Sequence, residues 1–353
     1  MVGNTDKART QDKMADRLTI ILGAGSSHDC ADVKTATRVN EDWRPPLARD
    51  IFSSQFDRIL NHYPTITARL DELRTELSKD QSFEEIFREL LESAAQHKKF
   101  WPFQVPIFLR ELFWTISEGH VQGSTKFDTL VRRVLESDFK EILFVNLNYD
   151  LFLEDAIENY DQHQFRNVDS YIPLSKKWRY VKPHGSVNWA KIVTNCPTNG
   201  SGLFLPSRLQ EAPAFSPELL VVMWNRKSGD FYIPGGGPEG YLYPQIVVPT
   251  DRPKDFVCPE SHLYAAREFV NHCGHFLVIG FSGRDEHILD FLEGVPGNSC
   301  WCIVSKGDTG EIVERLRGRI ESLKSGNVKV SVNDMGFSAF VERATFERFL
   351  TDG

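Results

Sequence analysis

Four short motifs in this sequence contain residues whose types suit chemistry on a small polar ligand. In chain order they are Gly23-Ala-Gly25, Asn148-Tyr-Asp150, His184-Gly185 and Gly280-Phe-Ser282. The amide of an Asn and the carboxylate of an Asp can hold a ribose hydroxyl or a water molecule. A neutral imidazole can accept a proton near pH 7. Together the motifs predict a binding or catalytic site.

The glycine motif directly follows the apolar run at positions 18–22. Glycines at the end of a strand let the backbone turn sharply and approach a phosphate, with the amides of a following helix directed at it. The dinucleotide-binding fingerprint has a third small residue where this chain has His28. A tight turn without a ligand explains Gly23-Ala-Gly25 equally well, so this motif alone favours neither interpretation.

The other motifs also have simpler structural explanations. Asp150 is placed to form an Asx turn that caps a helix from Leu151. Ser282 or Asp285 is placed to cap a helix from Glu286 in the same way. His184 is one of ten histidines, so alone it indicates little. The motifs are more informative as a set, because each follows a predicted strand.

Apolar runs and helical patterns alternate along the chain, and this alternation predicts how the motifs are positioned. The predicted strands lie at 18–22, 141–146, 180–182, 245–248, 275–279, 301–304 and 328–332. The helical segments between them lie at 151–160, 261–272, 286–292 and 311–323. The pattern predicts an α/β fold with a Rossmann-like, doubly wound parallel sheet. Ligands of such sheets bind beyond the carboxyl ends of the strands, where the motifs lie.

The remaining segments surround this sheet. We expect a polar tail at 1–16 and a single domain at 17–353. Within the domain we expect a helical insertion at about 47–135, which covers one edge of the site, and an irregular, loop-rich insertion at about 190–243. The amphipathic segment 338–350 predicts a closing helix.

Composition and charge exclude several classes of function. The net charge of −8 at pH 7 gives no field that attracts a polyanion, so direct binding of nucleic acid is not expected. The polar amino terminus and the short apolar runs predict a cytoplasmic protein with no membrane span. The six cysteines lack any Cys-x-x-Cys pair, so no structural zinc is expected.

The order of the four motifs resembles that of the sirtuin superfamily, particularly its sirtuin-like branch from bacterial antiphage defence. The motifs span Gly23 to Asp285, which covers nearly the whole predicted sheet. The resemblance implies that NAD⁺ binds at the strand ends and that His184 is the catalytic histidine. It implies that Asn148 and Asp150 surround the nicotinamide ribose. The implied NAD-binding set comprises Gly23, Ala24, Gly25, Ser26, Asn148, Asp150, Gly280, Ser282, Asp285 and Ser305.

Two departures from the deacylases of that family bear on the reaction. Leu147 replaces the Gln that precedes the Asn, and a four-cysteine zinc module is missing between the His-Gly and Gly-x-Ser motifs. We therefore expect a water nucleophile and hydrolysis of NAD⁺ to nicotinamide and ADP-ribose, with NAD⁺ as the consumed substrate. Asn148 would position the water, His184 would accept a proton and Asp150 would orient the ribose or the Asn amide.

Three other functions are consistent with the same motifs. They are an NAD-dependent protein deacylase or ADP-ribosyltransferase, a non-catalytic sensor of NAD⁺ or ADP-ribose, and an NAD-dependent dehydrogenase. The resemblance further implies a homo-oligomer and a partner protein, such as a HerA-type ATPase, a short Argonaute or another sensor. Depletion of NAD⁺ would make this chain the effector of an antiphage system.

Overall fold

The computed structural model describes most of the chain, including all four motifs. The described residues are 16–30, 44–77, 86–87, 89–90, 92–93, 101–120, 125–195, 202–203, 213–224, 231–232, 240–246, 256–307, 309–324 and 328–351. Most of the predicted polar tail (1–15), the residue Cys196 and much of the predicted irregular insertion lie outside this set.

The predicted apolar runs form the central strands of a sheet. The strands are β1 (Arg17–Leu22), β2 (Glu141–Asn146), β3 (Trp178–Val181), β4 (Gly185–Val193), β5 (Gly202–Leu203), β6 (Leu220–Val221), β7 (Met223–Trp224), β8 (Phe231–Tyr232), β9 (Tyr241–Ile246), β10 (His275–Ile279), β11 (Cys300–Val304) and β12 (Lys329–Asn333). Residues Leu18 to Leu22 of β1 are all buried, as expected for a strand covered on both faces.

The main sheet has six strands in the order β12-β11-β10-β1-β2-β3, and every pair is parallel. From β1 the chain continues to β2 and β3 on one side, and it later fills the other side with β10, β11 and β12. The strand order therefore reverses beside β1, which is the topological switch point where ligands of such sheets bind. This confirms the predicted α/β fold with a doubly wound parallel sheet.

Helices cover this sheet and form the region between β1 and β2. The helices are α1 (Ala24–Cys30), α2 (Asp57–Leu60), α3 (Pro64–Thr67), α4 (Leu70–Leu77), α5 (Val105–Gly119), α6 (Lys126–Glu136), α7 (Phe152–Asp161), α8 (Glu260–Val270), α9 (Glu286–Phe291), α10 (Thr309–Arg319), α11 (Glu321–Lys324), α12 (Phe337–Val341) and α13 (Ala344–Thr351). The aromatic side chains of α5 are largely buried, so they serve the core. In the part of the chain that the structure describes, no helix is long and apolar enough to cross a membrane.

Two sequence-based assignments were wrong. The strand predicted at 245–248, within the parallel sheet, corresponds to β9, which ends at Ile246 in a separate four-stranded sheet of order β5-β9-β4-β6. There it pairs antiparallel with β4, a strand that the sequence analysis did not predict. Every residue of β9 is buried, and a fully buried run looks the same whether its partners are parallel or antiparallel.

The second wrong assignment is the single closing helix at 338–350. The structure has two short helices, α12 and α13, separated by a turn at Glu342 and Arg343. Phe337, Phe340 and Phe346 are all buried, so the turn lets both short helices direct apolar side chains into the core. The apolar spacing was therefore correct, although the assumption of one continuous helix was not.

Candidate functional site

A cavity of about 670 Å³ lies at the carboxyl ends of β1, β2, β3, β10 and β11. This volume is within the range of about 300–1,000 Å³ that is usual for sites of small molecules and cofactors. All the predicted site residues except Ser26 line the wall of this cavity. They are Gly23, Ala24, Gly25, Asn148, Asp150, His184, Gly280, Ser282, Asp285 and Ser305.

Two glycine turns pack backbone against backbone and form one wall of the cavity. Gly280 has φ +63°, and a Cβ there would lie 2.1 Å from the amide nitrogen of Ser26. A Cβ on Gly23 would lie 2.6 Å from the carbonyl oxygen of Gly280. The amide of Gly25 donates to that same oxygen at 3.0 Å. The glycines are therefore required by the contact between the β1–α1 turn and the end of β10, whatever ligand the wall faces.

Ser26 lies behind this wall and holds Asn148. Its hydroxyl donates to the carbonyl of Gly23 at 2.7 Å and accepts from Nδ2 of Asn148 at 3.0 Å. The backbone amide of Asn148 donates to Oδ1 of Asn146 at 3.1 Å. Both residues are buried, so the Asn148 amide has a fixed orientation at the edge of the cavity.

Asp150 forms the Asx turn that the sequence predicts. Its Oδ1 accepts from the amide of Phe152 at 3.2 Å at the start of α7, and its backbone carbonyl accepts from Nζ of Lys182 at 2.7 Å. The side chain is fully buried. Burial raises the pKa of the Asp150 carboxyl, and the nearby charge of Lys182 only partly opposes this rise.

Beneath Asp150 lies a buried polar network that sequence reasoning missed. Lys182 and Glu154 form an ion pair of 2.9 Å, with 0% and 5% of their side chains exposed. The hydroxyl of Tyr180 donates to Glu154 at 2.8 Å and accepts from Nδ2 of Asn146 at 2.8 Å. This network joins the end of β2, the end of β3 and α7. Lys182 lies two residues before His184, directly after the strand Trp178–Val181, and a Lys at the end of a strand that leads into the His-Gly motif was the available signal.

His184 follows β3 and contacts the residue that caps the start of α9. Its Nε2 lies 2.7 Å from Oδ2 of Asp285, and both side chains are about nine-tenths buried. Gly185 then reverses the chain into β4 with φ +82°, and a Cβ at this position would lie 2.0 Å from the carbonyl of Gln245. A glycine is needed there to place the histidine at the junction of the two sheets.

Asp285 is the N-cap of α9, as one sequence interpretation expects. Its Oδ1 accepts from the amides of His287 at 3.0 Å and Ile288 at 3.1 Å. Burial raises the pKa of the Asp285 carboxyl, but the charge and hydrogen bond of His184, with the helix amides, outweigh burial. The net shift is downward from the usual value.

The end of the cavity at β10 and β11 is bordered by Ser282, Ser305 and three basic residues that were not predicted from the sequence. The carbonyl of Ser282 accepts from Nη1 of Arg315 at 3.1 Å. Nζ of Lys306 lies 3.7 Å from Oδ1 of Asp29. Arg284 also lines this end. The serines thus border the cavity on the side of β10 and β11.

The region between β1 and β2 closes another side of the cavity. Leu47, Ile51, Leu77 and Phe113 line it there. The ring of Phe113 contacts that of Tyr149, edge to face, with centroids 5.4 Å apart. Apolar side chains from this region therefore shield the strand ends that carry the Asn-x-Asp motif. Among the residues that the structure describes, no cluster of His, Cys, Asp and Glu has the arrangement of a metal site.

Comparisons with known proteins give a distant likeness in fold. No family model and no curated protein matches the chain. A structure of Sir2Tm bound to a propionylated peptide shares 12% identity at a TM-score of 0.41, covering 99% of this chain and 100% of the other. A Sir2 homologue in complex with NAD shares 13% identity at a TM-score of 0.37, covering 98% and 93%. Scores of this size carry no inference about activity.

Proposed function

We propose that this chain binds NAD⁺ in the cavity and hydrolyses the bond between nicotinamide and ribose. The observation that supports this best is the convergence of Asn148, Asp150 and His184 on one cavity, at the switch point of a doubly wound sheet. Nicotinamide in NAD⁺ leaves as a neutral molecule, so its departure needs no general acid. The site has to supply an oriented water, a base and dipoles that stabilise a cationic sugar.

In this proposal NAD⁺ lies across the carboxyl ends of the strands. The nicotinamide ribose lies beside Asn148 and Asp150, and the phosphates lie along the wall formed by the glycine turns. The adenosine half extends toward Ser282 and Ser305. The order of these groups along the cavity supports this orientation, because the Asn-x-Asp motif follows β2 while the serines follow β10 and β11.

Asn148 orients the attacking water in the proposed reaction. Its Nδ2 is held by the hydroxyl of Ser26, which itself donates to a backbone carbonyl. In the proposed complex, Oδ1 of Asn148 accepts a hydrogen bond from the attacking water. A water held in one orientation reacts faster than a mobile one, because the entropy of positioning is already lost.

The reaction balances with one proton accepted by His184. The bond between C1′ of the ribose and nitrogen of nicotinamide breaks, and its electron pair leaves with nicotinamide. The water oxygen bonds to C1′, and a water proton passes to the imidazole and then to solvent. The products are nicotinamide, ADP-ribose and a proton. Asp150 orients the ribose or the amide of Asn148 during this step.

Transfer to a protein acceptor is the alternative. A deacylase would release a deacylated peptide with O-acyl-ADP-ribose, and an ADP-ribosyltransferase would modify the acceptor. Leu147 in place of Gln and the absence of paired cysteines in the sequence favour water as the acceptor. A non-catalytic sensor would bind NAD⁺ or ADP-ribose without consuming it.

We further propose that the chain is the NAD⁺-depleting effector of an antiphage system, in a homo-oligomer gated by a partner such as a HerA-type ATPase. The motif resemblance supports this, as does the need to restrain an enzyme that would deplete its own cell. A partner must bind the competent state more tightly in order to shift its population. Turnover should therefore rise with protein concentration or on adding the partner. Full activity of an isolated monomer, tolerated by its host, would contradict the gating.

The test of the proposed function compares two histidine variants. His184→Ala should lower NAD⁺ cleavage by about 10²–10⁴-fold, the usual contribution of a positioned general base. His272→Ala removes an exposed imidazole beyond the end of α8 and should leave turnover unchanged. Nicotinamide release would be followed by chromatography, and folding by circular dichroism. A folded His184→Ala variant with near wild-type turnover would remove this histidine from the mechanism.

A further inference from the structure

The position of Asn148 depends on a hydrogen bond from its backbone to the side chain of Asn146. The backbone amide of Asn148 donates to Oδ1 of Asn146 at 3.1 Å, across the two-residue spacing of an Asx turn. Asn146 is the last residue of β2, and it is buried. The turn therefore takes the chain out of the strand and determines where Asn148 meets the cavity.

The direction of each hydrogen bond around Asn146 follows from this contact. A backbone N–H can only donate, so the atom of the Asn146 amide that faces it must be the oxygen. The amide nitrogen then lies on the other side, where it donates to the hydroxyl of Tyr180 at 2.8 Å. That hydroxyl donates its own hydrogen to Oε2 of Glu154 at 2.8 Å. A continuous chain of donors and acceptors thus runs from Glu154 to the backbone of Asn148.

Tyr180 is itself held in place at the centre of this chain. It belongs to β3, where it pairs with Phe144 of β2 in parallel register, and its side chain is fully buried. Burial and the neighbouring Glu154 carboxylate raise the pKa of Tyr180 well above its usual value. The hydroxyl therefore keeps its hydrogen across the pH range of an enzyme assay, and its hydrogen bonds restrain the amide of Asn146.

We propose that Tyr180 is a positioning residue that acts through Asn146 to place Asn148 at the cavity. Without the hydroxyl of Tyr180, Nδ2 of Asn146 loses its partner and the amide gains freedom to rotate, which weakens the Asx turn. Of the two hydrogen bonds that hold Asn148, only the one from its side chain to Ser26 would then stay intact. The effect on catalysis rests on the proposed function, whereas the effect on the contact between Asn146 and Asn148 does not.

A second tyrosine in the same network provides a matched control. The hydroxyl of Tyr171 donates to Oε1 of Glu154 at 3.3 Å and accepts from Nδ2 of Asn188 at 3.3 Å. Tyr171 is fully buried like Tyr180, but its hydroxyl is bonded to Asn188 where that of Tyr180 is bonded to Asn146. Tyr171→Phe and Tyr180→Phe each remove one donor to Glu154, so a general loosening of the network should impair both variants alike.

The positioning role requires the two tyrosine variants to differ in kcat. We expect Tyr180→Phe to lower kcat by about 10–10²-fold with little change in KM, because a small displacement of a positioned group costs this much. Tyr171→Phe should retain near wild-type kcat.

A double variant tests whether Tyr180 acts through Asn146. Asn146→Ala should lower kcat at least as much as Tyr180→Phe does. The double variant should be no worse than Asn146→Ala alone, since both changes break the same chain of contacts. Near wild-type kcat in Tyr180→Phe, equal losses in the two tyrosine variants, or losses that multiply in the double variant would each overturn the proposal.

A measurement without NAD⁺ separates this proposal from the proposed function. In protein labelled with ¹⁵N-asparagine, solvent exchange of the backbone amide hydrogen of Asn148 reports its hydrogen bond to Asn146, and Asn148→Ala assigns the signal. We expect slow exchange in the wild type and in Tyr171→Phe, and faster exchange in Tyr180→Phe. Unchanged exchange in Tyr180→Phe would refute the positioning role even if NAD⁺ is hydrolysed. The expected exchange rates in a protein that leaves NAD⁺ intact would refute the proposed function and retain the contact.

Discussion

Replacing Lys182 by methionine tests whether the buried ion pair with Glu154 supports the site. Methionine has a similar length and no charge, so the change removes the cation while largely filling its space. Lys182 is fully buried, and the side chain of Glu154 is 5% exposed. The variant therefore leaves a carboxylate inside the protein without its cation. It also removes the hydrogen bond that Nζ of Lys182 donates to the backbone carbonyl of Asp150.

The expected cost is large for a single substitution. Removing one partner of a buried pair costs about 3–5 kcal/mol, because the remaining charge is uncompensated. The double variant Lys182→Met/Glu154→Gln removes that charge, so we expect it to recover much of the loss. The amide oxygen of glutamine can still accept from the hydroxyl of Tyr180. Lys324→Met is the matched control, because its pair with Glu321 is exposed and should cost less than about 1 kcal/mol.

Urea unfolding followed by tryptophan fluorescence gives the midpoint for each of these variants. Lys182→Met should have the lowest midpoint, the double variant an intermediate one, and Lys324→Met a midpoint close to the wild type. NAD⁺ turnover should fall in Lys182→Met as well, since the network joins Asp150 to the end of β3. The reasoning is refuted if Lys182→Met is as stable as the control, or if the double variant is no more stable than Lys182→Met alone.

Three further predictions follow from the site. Burial raises the pKa of Asp150, so the folded protein loses stability relative to the unfolded chain as the pH rises from the unfolded pKa of this carboxyl to its raised folded pKa. Asp150→Asn should therefore raise the urea midpoint near neutral pH while lowering turnover, and an unchanged or lower midpoint would contradict this. Gly280→Ala should destabilise by about 1–2 kcal/mol or more, because φ is +63° and the wall has no room for a Cβ. The control Gly318→Ala, in open space on α10, should be neutral or stabilising, and equal midpoints would refute the steric argument. Elemental analysis after gel filtration should find no stoichiometric zinc, and one zinc per chain would revive the deacylase alternative.

The parallel sheet was predictable because its central strands are short, continuous apolar runs separated by helical patterns. The strand predicted at 141–146 coincides with β2, and that at 275–279 with β10. Strand ends on one edge of such a sheet must lie near each other, so the meeting of the Asn-x-Asp and glycine motifs followed from topology. The antiparallel sheet was not predictable from apolar pattern, because β9 is buried along its whole length.

The contacts that determine the chemistry of the site were harder to predict. His184 follows β3 and Asp285 follows β10, and two other strands separate them in the sheet. No rule of strand pairing predicts that their loops meet. The Lys182–Glu154 pair joins a strand end to α7, and Glu154 looks like any acidic residue in the first turn of a helix. Such side-chain pairs depend on how loops and helices pack, which the spacing of residues does not specify.

Incubating the purified protein with NAD⁺, with and without an acylated peptide, tests the central claim most directly. Chromatography would quantify nicotinamide, ADP-ribose and O-acyl-ADP-ribose, and His184→Ala would serve as the control. Hydrolysis predicts nicotinamide and ADP-ribose in equal amounts, independent of the peptide and lost in His184→Ala. Formation of O-acyl-ADP-ribose that depends on the peptide, or intact NAD⁺ at every protein concentration and with the partner added, would contradict it.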